Sequence, residues 1–449
     1  MQRIAIIGSG IAGLGAAHAL GEAARAGQPG PAVTLFEAGA HFGGHAHTVD
    51  ITFDGVSHGV DIGFLVFNHR TYPGLTRLLQ GLGVDTAASD MSFSVQARAQ
   101  GLEWSGTNLA GVFAQARNLA RPGFWRMLAD IARFNRLTTA LAEAGDDAAL
   151  AQTVGDFLQA QRFSDEFRRW YLLPMIACIW SCPSQQMLGF PIGTLIRFCH
   201  NHGLLQVSNR PQWMTVRGGS RQYVRRIVQG LKDARLDTPV RGVQRLADGV
   251  RVHTAHGSET FDQLVLACHS DQALRLLGVD ASVEEQAVLG AIRYQPNRAL
   301  LHTDTSLLPQ RRRAWAAWNY ETAVDGAEAD VCLHYLINRL QPLPWQQSVV
   351  VSLNPVRAPR AGTVLGEFDV EHPVFDLAAV AAQRQLPGLQ GRRRTWFCGA
   401  WTGYGFHEDG LASGQRVAQM LLAEEDASQR VADGARPPRP SALYLARAA

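Results

Sequence analysis

Lysine is nearly missing from this chain: Lys232 is the single one, and arginine carries the rest of the positive charge. Cysteine is sparse and unpatterned. Of Cys178, Cys182, Cys199, Cys268, Cys332 and Cys398, only the first two share a short spacing, C-x3-C, and no second pair follows. That argues against a zinc site or a disulfide framework and points to a reducing compartment. Long apolar runs are lacking too. The most apolar stretch, Trp170 to Trp180, is far short of the ~20 residues that cross a bilayer, and it contains Pro174. Met1 stands just ahead of the first apolar strand, which leaves no room for a signal peptide. The expected location is therefore cytoplasmic, with peripheral contact to the inner face of the membrane left open. A net charge of +3 is too small to argue for a nucleic-acid partner.

What is present is apolar material. Of 449 residues 46% are hydrophobic and 18% charged, enough for a large core and too much for one simple domain. Residues 3 to 7 (RIAII) read as a buried parallel strand, Gly8 to Gly15 as a glycine-rich turn, Ala16 to Ala26 as a helix, and Val33 to Glu37 as a second strand after a small loop at Gly27 to Pro31. From about Thr71 to Phe198 the spacing of apolar residues is mostly helical. From Leu236 to Ala267 it turns to strands, and strand-like pieces recur at Arg298 to His302, Val331 to Ile337 and Val349 to Leu353. Thr395 to Gly399 is a last short strand, followed by a glycine-rich turn and a helix from Leu411 to Glu424. The pattern predicts an α/β fold: a Rossmann-type dinucleotide domain assembled from residues 1–70, 206–275 and 392–425, with an inserted helical and mixed-sheet substrate domain at 71–205 and 276–391. The proline-bearing end, 426–449, is expected to be a loosely ordered tail.

Gly8, Gly10 and Gly13 spell G-x-G-x-x-G directly after a strand and before a helix. The chemistry needs glycine there for a tight turn, for backbone approach to a pyrophosphate, and for close packing of helix on strand. Ile11 and Ala12 lie in the same turn, where free N–H groups of a helix start favour phosphate. Glu37, 24 residues after Gly13, is placed to bond ribose hydroxyls. Strand, turn, helix, second strand and terminal acid together make this a dinucleotide site rather than a chance glycine turn.

Residues 37 to 48, EAGAHFGGHAHT, bear on which dinucleotide. The doublet Gly43-Gly44 after the ribose acid resembles the flavin amine oxidase and carotenoid desaturase superfamily, where such a stretch runs beneath the FAD pyrophosphate. Asp61-Ile62-Gly63 is similar to its Asp-x-Gly stretch, and Pro239-Val240 with the strands after it to its adenine-flanking segment. FCGAWTGYGFHEDGLASG, residues 397 to 414, is similar to its C-terminal flavin motif. The resemblance implies non-covalent FAD. It implies that His45 stands where most members have arginine beside the pyrophosphate, that Val240 contacts adenine through its backbone, and that Gly399, Gly410 and Leu411 meet the flavin end. His41, His45 and His47 do not read as metal ligands, because no carboxylate or cysteine cluster accompanies them.

Two departures bear on the substrate. Amine oxidases place a lysine near flavin N5, and Lys232 sits in a polar surface segment. The paired tyrosines of their amine cage are not evident, and Phe406 falls about where one would be. GGHAHT, GFLVFN (63–68), NHGLL (201–205), RGGS (217–220) and GFHEDG (405–410) resemble instead the bacterial NAD/FAD-binding proteins associated with cyclopropane and methylated (furan) fatty acid synthesis. That likeness implies a dehydrogenase or desaturase acting on a lipid acyl or isoprenoid chain. Amine oxidation, flavin-dependent double-bond isomerisation and an FAD-binding scaffold of a lipid-modifying complex are the alternatives. His407 is the candidate catalytic base or acid, with a purely hydrogen-bonding role as its rival reading; His202 and Tyr223 are weaker candidates. Glu408 and Asp409 either tune His407 or cap a helix. Aromatic residues of the insert, among them Trp180, Phe190 and Phe198, are expected to wall a substrate channel or simply to form core. Arg117, Arg121, Arg126, Arg133 and Arg136, among apolar residues at 111–137, suggest a solvated helix face or a membrane contact.

Overall fold

The computed structural model describes residues 1–25, 30–144, 152–205, 210–322 and 331–432. Part of the loop expected at Gly27 to Pro31, and the tail beyond residue 432, lie outside them. Five parallel strands form the first layer, in the order Asp233–Arg235, Ala32–Phe36, Arg3–Ile7, Gln263–Leu266, Thr395–Phe397. Their apolar runs are buried on both faces; Ile4 and Ile6 have no exposed surface. The sheet thus draws its strands from well-separated stretches of the chain.

The helix after the first strand is Ile11–Arg25. It starts five residues earlier than the sequence pattern suggested, so Gly13 and Gly15 lie inside it. Glycine is a poor helix former, but packing demands it here: a Cβ on Gly13 would stand 2.0 Å from the Gly8 carbonyl oxygen. The C-terminal helix, His407–Ala432, packs alongside. It begins before the expected Leu411 and continues past Glu424, so residues 426–432 are helical rather than tail. A Cβ on Gly414 would meet the Ala12 carbonyl oxygen at 2.0 Å, which is why the two helices can lie so close.

A three-stranded antiparallel meander, Gly242–Arg245, Val250–Thr254 and Gly257–Phe261, precedes Gln263–Leu266. A seven-stranded sheet has the order Val364–Val374, Arg293–His302, Val350–Leu353, Leu333–Leu336, Trp318–Glu321, Phe93–Ala97, Leu102–Ser105. Two of its strands, together with Thr86–Ser89, lie in the stretch expected to be mostly helical. Hydropathy missed them because they bury polar side chains. Ser94 hydroxyl donates to Asn319 Oδ1 at 2.8 Å and Gln96 Nε2 to the Leu307 carbonyl at 2.7 Å. The edge strand Val364–Val374 alternates charged and apolar residues, and it too escaped the pattern. Helices Pro122–Ala144, Val154–Ala160, Leu173–Trp180 and Ile192–Asn201 complete the insert. Among the described residues no helix is long and apolar enough to cross a membrane.

Candidate active site

A cavity of about 630 Å³ opens at the carboxyl ends of the five parallel strands, where open α/β sheets bind ligands. Gly8, Gly10, Ile11, Ala12, Glu37, Gly43, Gly44, His45, Val240, Gly399 and His407 all line it. Gly13, Gly410 and Leu411 do not. Gly13 and Leu411 support from behind: Leu411 is buried and packs on Gly15. A Cβ on Gly410 would come within 2.8 Å of the Ile11 side chain, so this glycine admits the first helix rather than a ligand.

The dinucleotide end is built by backbone. The Gly10 position faces free space, with nothing within 4 Å of where its Cβ would be. Gly43 N–H donates to the Ser9 carbonyl at 3.1 Å, which fixes the doublet against the glycine turn. Glu37 Oε2 accepts from Ser9 N–H at 3.0 Å and from the Ser9 hydroxyl, while Oε1 accepts from Gly39 N–H at 2.8 Å. The carboxylate is therefore held in place at the cavity wall.

Four histidines line the cavity: His45, His269, His372 and His407. His45 and His372 have ring centroids 5.2 Å apart, and His45 and His269 are 6.4 Å apart. His372 Nδ1 and Asn297 Nδ2 are 3.0 Å apart. Burial, and then the neighbouring His269, brings the His45 pKa down to about 4. Burial and His45 bring both His372 and His407 down to about 3. In the absence of a partner anion these rings favour the neutral form, so His45 beside the glycine doublet lacks the fixed charge of an arginine.

His407 is the first residue of the C-terminal helix. Its ring stacks on Phe64 at 3.8 Å between centroids, and its Nε2 lies 2.6 Å from the Tyr223 hydroxyl oxygen. The two acids beside it are caps. Glu408 accepts from Gly74 and Leu75 N–H at 2.6 and 2.9 Å, and Asp409 from Tyr404 and Phe406 N–H at 3.1 and 3.0 Å. His202 is away from the cavity, with Nδ1 3.0 Å from the Phe198 carbonyl. Tyr223 is fully buried behind His407. Lys232 is exposed and lines no part of the cavity.

The other end of the cavity is apolar: Met91, Ile179, Phe198, Leu204, Trp213 and Trp318 face it. Of the insert aromatics expected as channel wall, Phe198 takes that place, while Trp180 and Phe190 are buried core off the cavity wall. His41 and His47 stack on each other at 3.9 Å, outside the cavity. Sequence reasoning missed His269, Tyr294 and His372. His269 comes just past the buried end of the Gln263–Leu266 strand, after Ala267 and Cys268, where strand ends meet ligands; that position was its only signal. His372 sits on the charged edge strand and had none. The donor set fits FAD: a glycine turn at a helix start, a fixed ribose-side acid, and a cavity that continues past the glycines into apolar walls.

The comparisons agree. No curated protein matches the chain by sequence. Among solved structures, cyclohexylamine oxidase from Brevibacterium oxydans IH-35A aligns with a TM-score of 0.68 at 17% identity, over 95% of this chain and 99% of its own. A CLA-producing fatty acid isomerase from P. acnes aligns at 0.66 and 15%, over 94% and 99%. Putrescine oxidase bound to putrescine aligns at 0.65 and 17%, over 94% and 99%. At these identities the likeness is one of fold. The family model for flavin-containing amine oxidoreductases matches residues 11–307, well over half of the sequence. With its FAD-binding fold, the chain belongs to the flavin-containing amine oxidoreductase family and is an FAD-dependent oxidoreductase.

Proposed function

We propose that the protein is a dehydrogenase or desaturase that oxidises a lipid acyl or isoprenoid chain. The observation that carries this is the apolar end of the cavity. It holds no lysine, and the carboxylates on the cavity wall are Glu37, tied to the dinucleotide turn, and Glu371. An ammonium substrate would meet no charge partner among those apolar walls, whereas a hydrocarbon chain would be desolvated along them. Bound FAD supplies the hydride acceptor, N5. The chain's own residues supply a dry, oriented slot in which a C–H bond is held against it.

In this reading Gly8, Gly10, Ile11, Ala12, Gly43, Gly44 and His45 serve the pyrophosphate, Glu37 the ribose, Val240 the adenine and Gly399 the flavin end, while Gly13, Gly410 and Leu411 hold the two helices packed behind them. The parallel sheet supports assigning residues 1–70, 206–275 and 392–425 to the cofactor domain and 71–205 and 276–391 to the substrate domain. A double-bond isomerase uses the same hydride step and returns the hydride; the fatty acid isomerase of shared fold favours it as the second reading. Contact with an anionic membrane is consistent with Leu109, Leu119 and Trp125, which are 78%, 55% and 49% exposed.

The test is anaerobic mixing of the flavin-loaded enzyme with bacterial phospholipids, including methylated and cyclopropanated chains, and separately with simple amines. Bleaching of the flavin band by lipid alone supports the proposal. Bleaching by amines overturns it. Lipid turnover without consumption of an electron acceptor selects the isomerase.

A further inference from the structure

Tyr223 and His407 form an isolated pair, and counting their protons decides what His407 can do. The Tyr223 side chain is fully buried. Among the described residues its hydroxyl has one hydrogen-bond partner, His407 Nε2 at 2.6 Å, and the Asp61 carboxylate, held by Ser220, Thr48 and Gln341, acts on it only electrostatically. A tyrosine hydroxyl carries one proton, and a buried O–H that points at no acceptor forfeits its hydration with nothing in return. With Nε2 as the only acceptor within reach, the O–H must donate to it. Nε2 then bears a lone pair, and a neutral ring must carry its proton on Nδ1.

Protonating both nitrogens is opposed from every side. The ring lies at the start of a 26-residue helix, where the helix dipole disfavours a cation. Phe64 covers one face of the ring. His45 is the nearby titratable group, and as a would-be cation it repels rather than supports a charge. The carboxylates that follow in sequence are turned away, Glu408 onto Gly74 and Leu75 N–H and Asp409 onto Tyr404 and Phe406 N–H.

We infer that His407 is a fixed neutral hydrogen-bond donor, with its proton on Nδ1, and that Tyr223 is the positioning residue that sets this tautomer. His407 lines the cavity and Tyr223 does not. The Nδ1–H is thus the ring's remaining donor, suited to an acceptor atom on what the cavity holds. A neutral imidazole at a helix start can polarise an acceptor without exchanging a proton with it. Of the two roles weighed for His407, acid–base catalyst or hydrogen-bonding group, this arrangement favours the second. The inference rests on FAD occupying the cavity and is independent of the lipid reading.

The experiment is ¹⁵N NMR of the flavin-loaded, substrate-free protein labelled at histidine, with His407→Asn used to assign the signals. The expected result is a protonated Nδ1 and an unprotonated Nε2, unchanged from pH 5 to pH 8. Tyr223→Phe should lose the single tautomer and give a mixture, while keeping the flavin. A protonated Nε2, titration of His407 within that pH range, or an unchanged tautomer in Tyr223→Phe overturns the inference. If Tyr223→Phe fails to fold, the wild-type spectrum alone decides. No substrate is present in the NMR measurement, so failure of the lipid proposal would leave its result intact.

Discussion

Gly10 and Gly13 belong to one motif, yet a methyl group added at each would meet different things. At Gly10 it would meet open cavity; at Gly13 it would meet the Gly8 carbonyl at 2.0 Å. Gly10→Val should therefore leave folding nearly intact and abolish FAD binding, read as a colourless protein with an unchanged unfolding midpoint. Gly13→Ala should destabilise the fold itself by roughly 1–3 kcal/mol, as overpacking does. If Gly10→Val purified yellow, the assignment of this turn to the pyrophosphate would be wrong. Cysteine makes a second residue-scale prediction. Cys398 is fully buried and off the cavity wall, and burial pushes the Cys268 thiol, which does line it, up to about 12. Neither is poised as a thiolate nucleophile. FAD should thus leave with the supernatant on acid precipitation, and colour retained in the pellet would contradict non-covalent binding. The glycine roles were legible in sequence because they follow from local backbone geometry. The role of Tyr223 was not, because its partner lies 184 residues away.

At the scale of elements, the start of the C-terminal helix organises its surroundings. Glu408 caps the helix Pro73–Gly81 through two N–H groups, joining the far end of the chain to a segment near its beginning. Glu408→Ala should cost about 1–2 kcal/mol, the range of a lost helix cap, and should be seen as a lower urea midpoint. An unchanged midpoint would mean that solvent replaces the carboxylate without cost. Asp61 is a comparable hub: it accepts from Ser220 N–H at 2.9 Å, the Thr48 hydroxyl at 2.5 Å and Gln341 Nε2 at 2.7 Å. The sequence marked Asp61-Ile62-Gly63 as a motif, but its acid holds elements together while Gly63 faces the cavity. Periodicity found the parallel strands and the long helices, where burial is apolar. It missed Phe93–Ala97 and Leu102–Ser105, where buried serine and glutamine are satisfied by distant partners.

For the molecule as a whole, histidines that the fold desolvates, two of them buried (His202 and His302), shape the pH dependence of stability. His45, His47, His202 and His302 are brought down to about 4, and His372 and His407 to about 3, in each case first by burial. Once unfolded, each titrates near 6.5. Between about pH 6.5 and pH 4 the unfolded chain therefore binds protons that the native state refuses, and stability falls as pH falls. Asp61 and Asp409, raised by burial to about 6, and Glu424 and Glu425, also raised by burial, act oppositely over part of that window, but they are four groups against six. The urea midpoint of the FAD-free protein should drop steadily from pH 6.5 to pH 4.5; a flat profile would show that these histidines protonate freely in the folded state.

The sequence by itself determined the cofactor half of the protein. A strand, a glycine turn, a helix start and a strand-end acid are set by local backbone sterics and hydrogen bonding, and those are written in adjacent residues. Only the tertiary structure decided the other half. It showed that Phe198, Met91 and Trp318 share one apolar wall, that four histidines gather around one cavity, and that His407 answers to Tyr223. Those facts depend on which distant segments pack together, and packing of the whole chain, unlike the geometry of a turn, has no short-range signature.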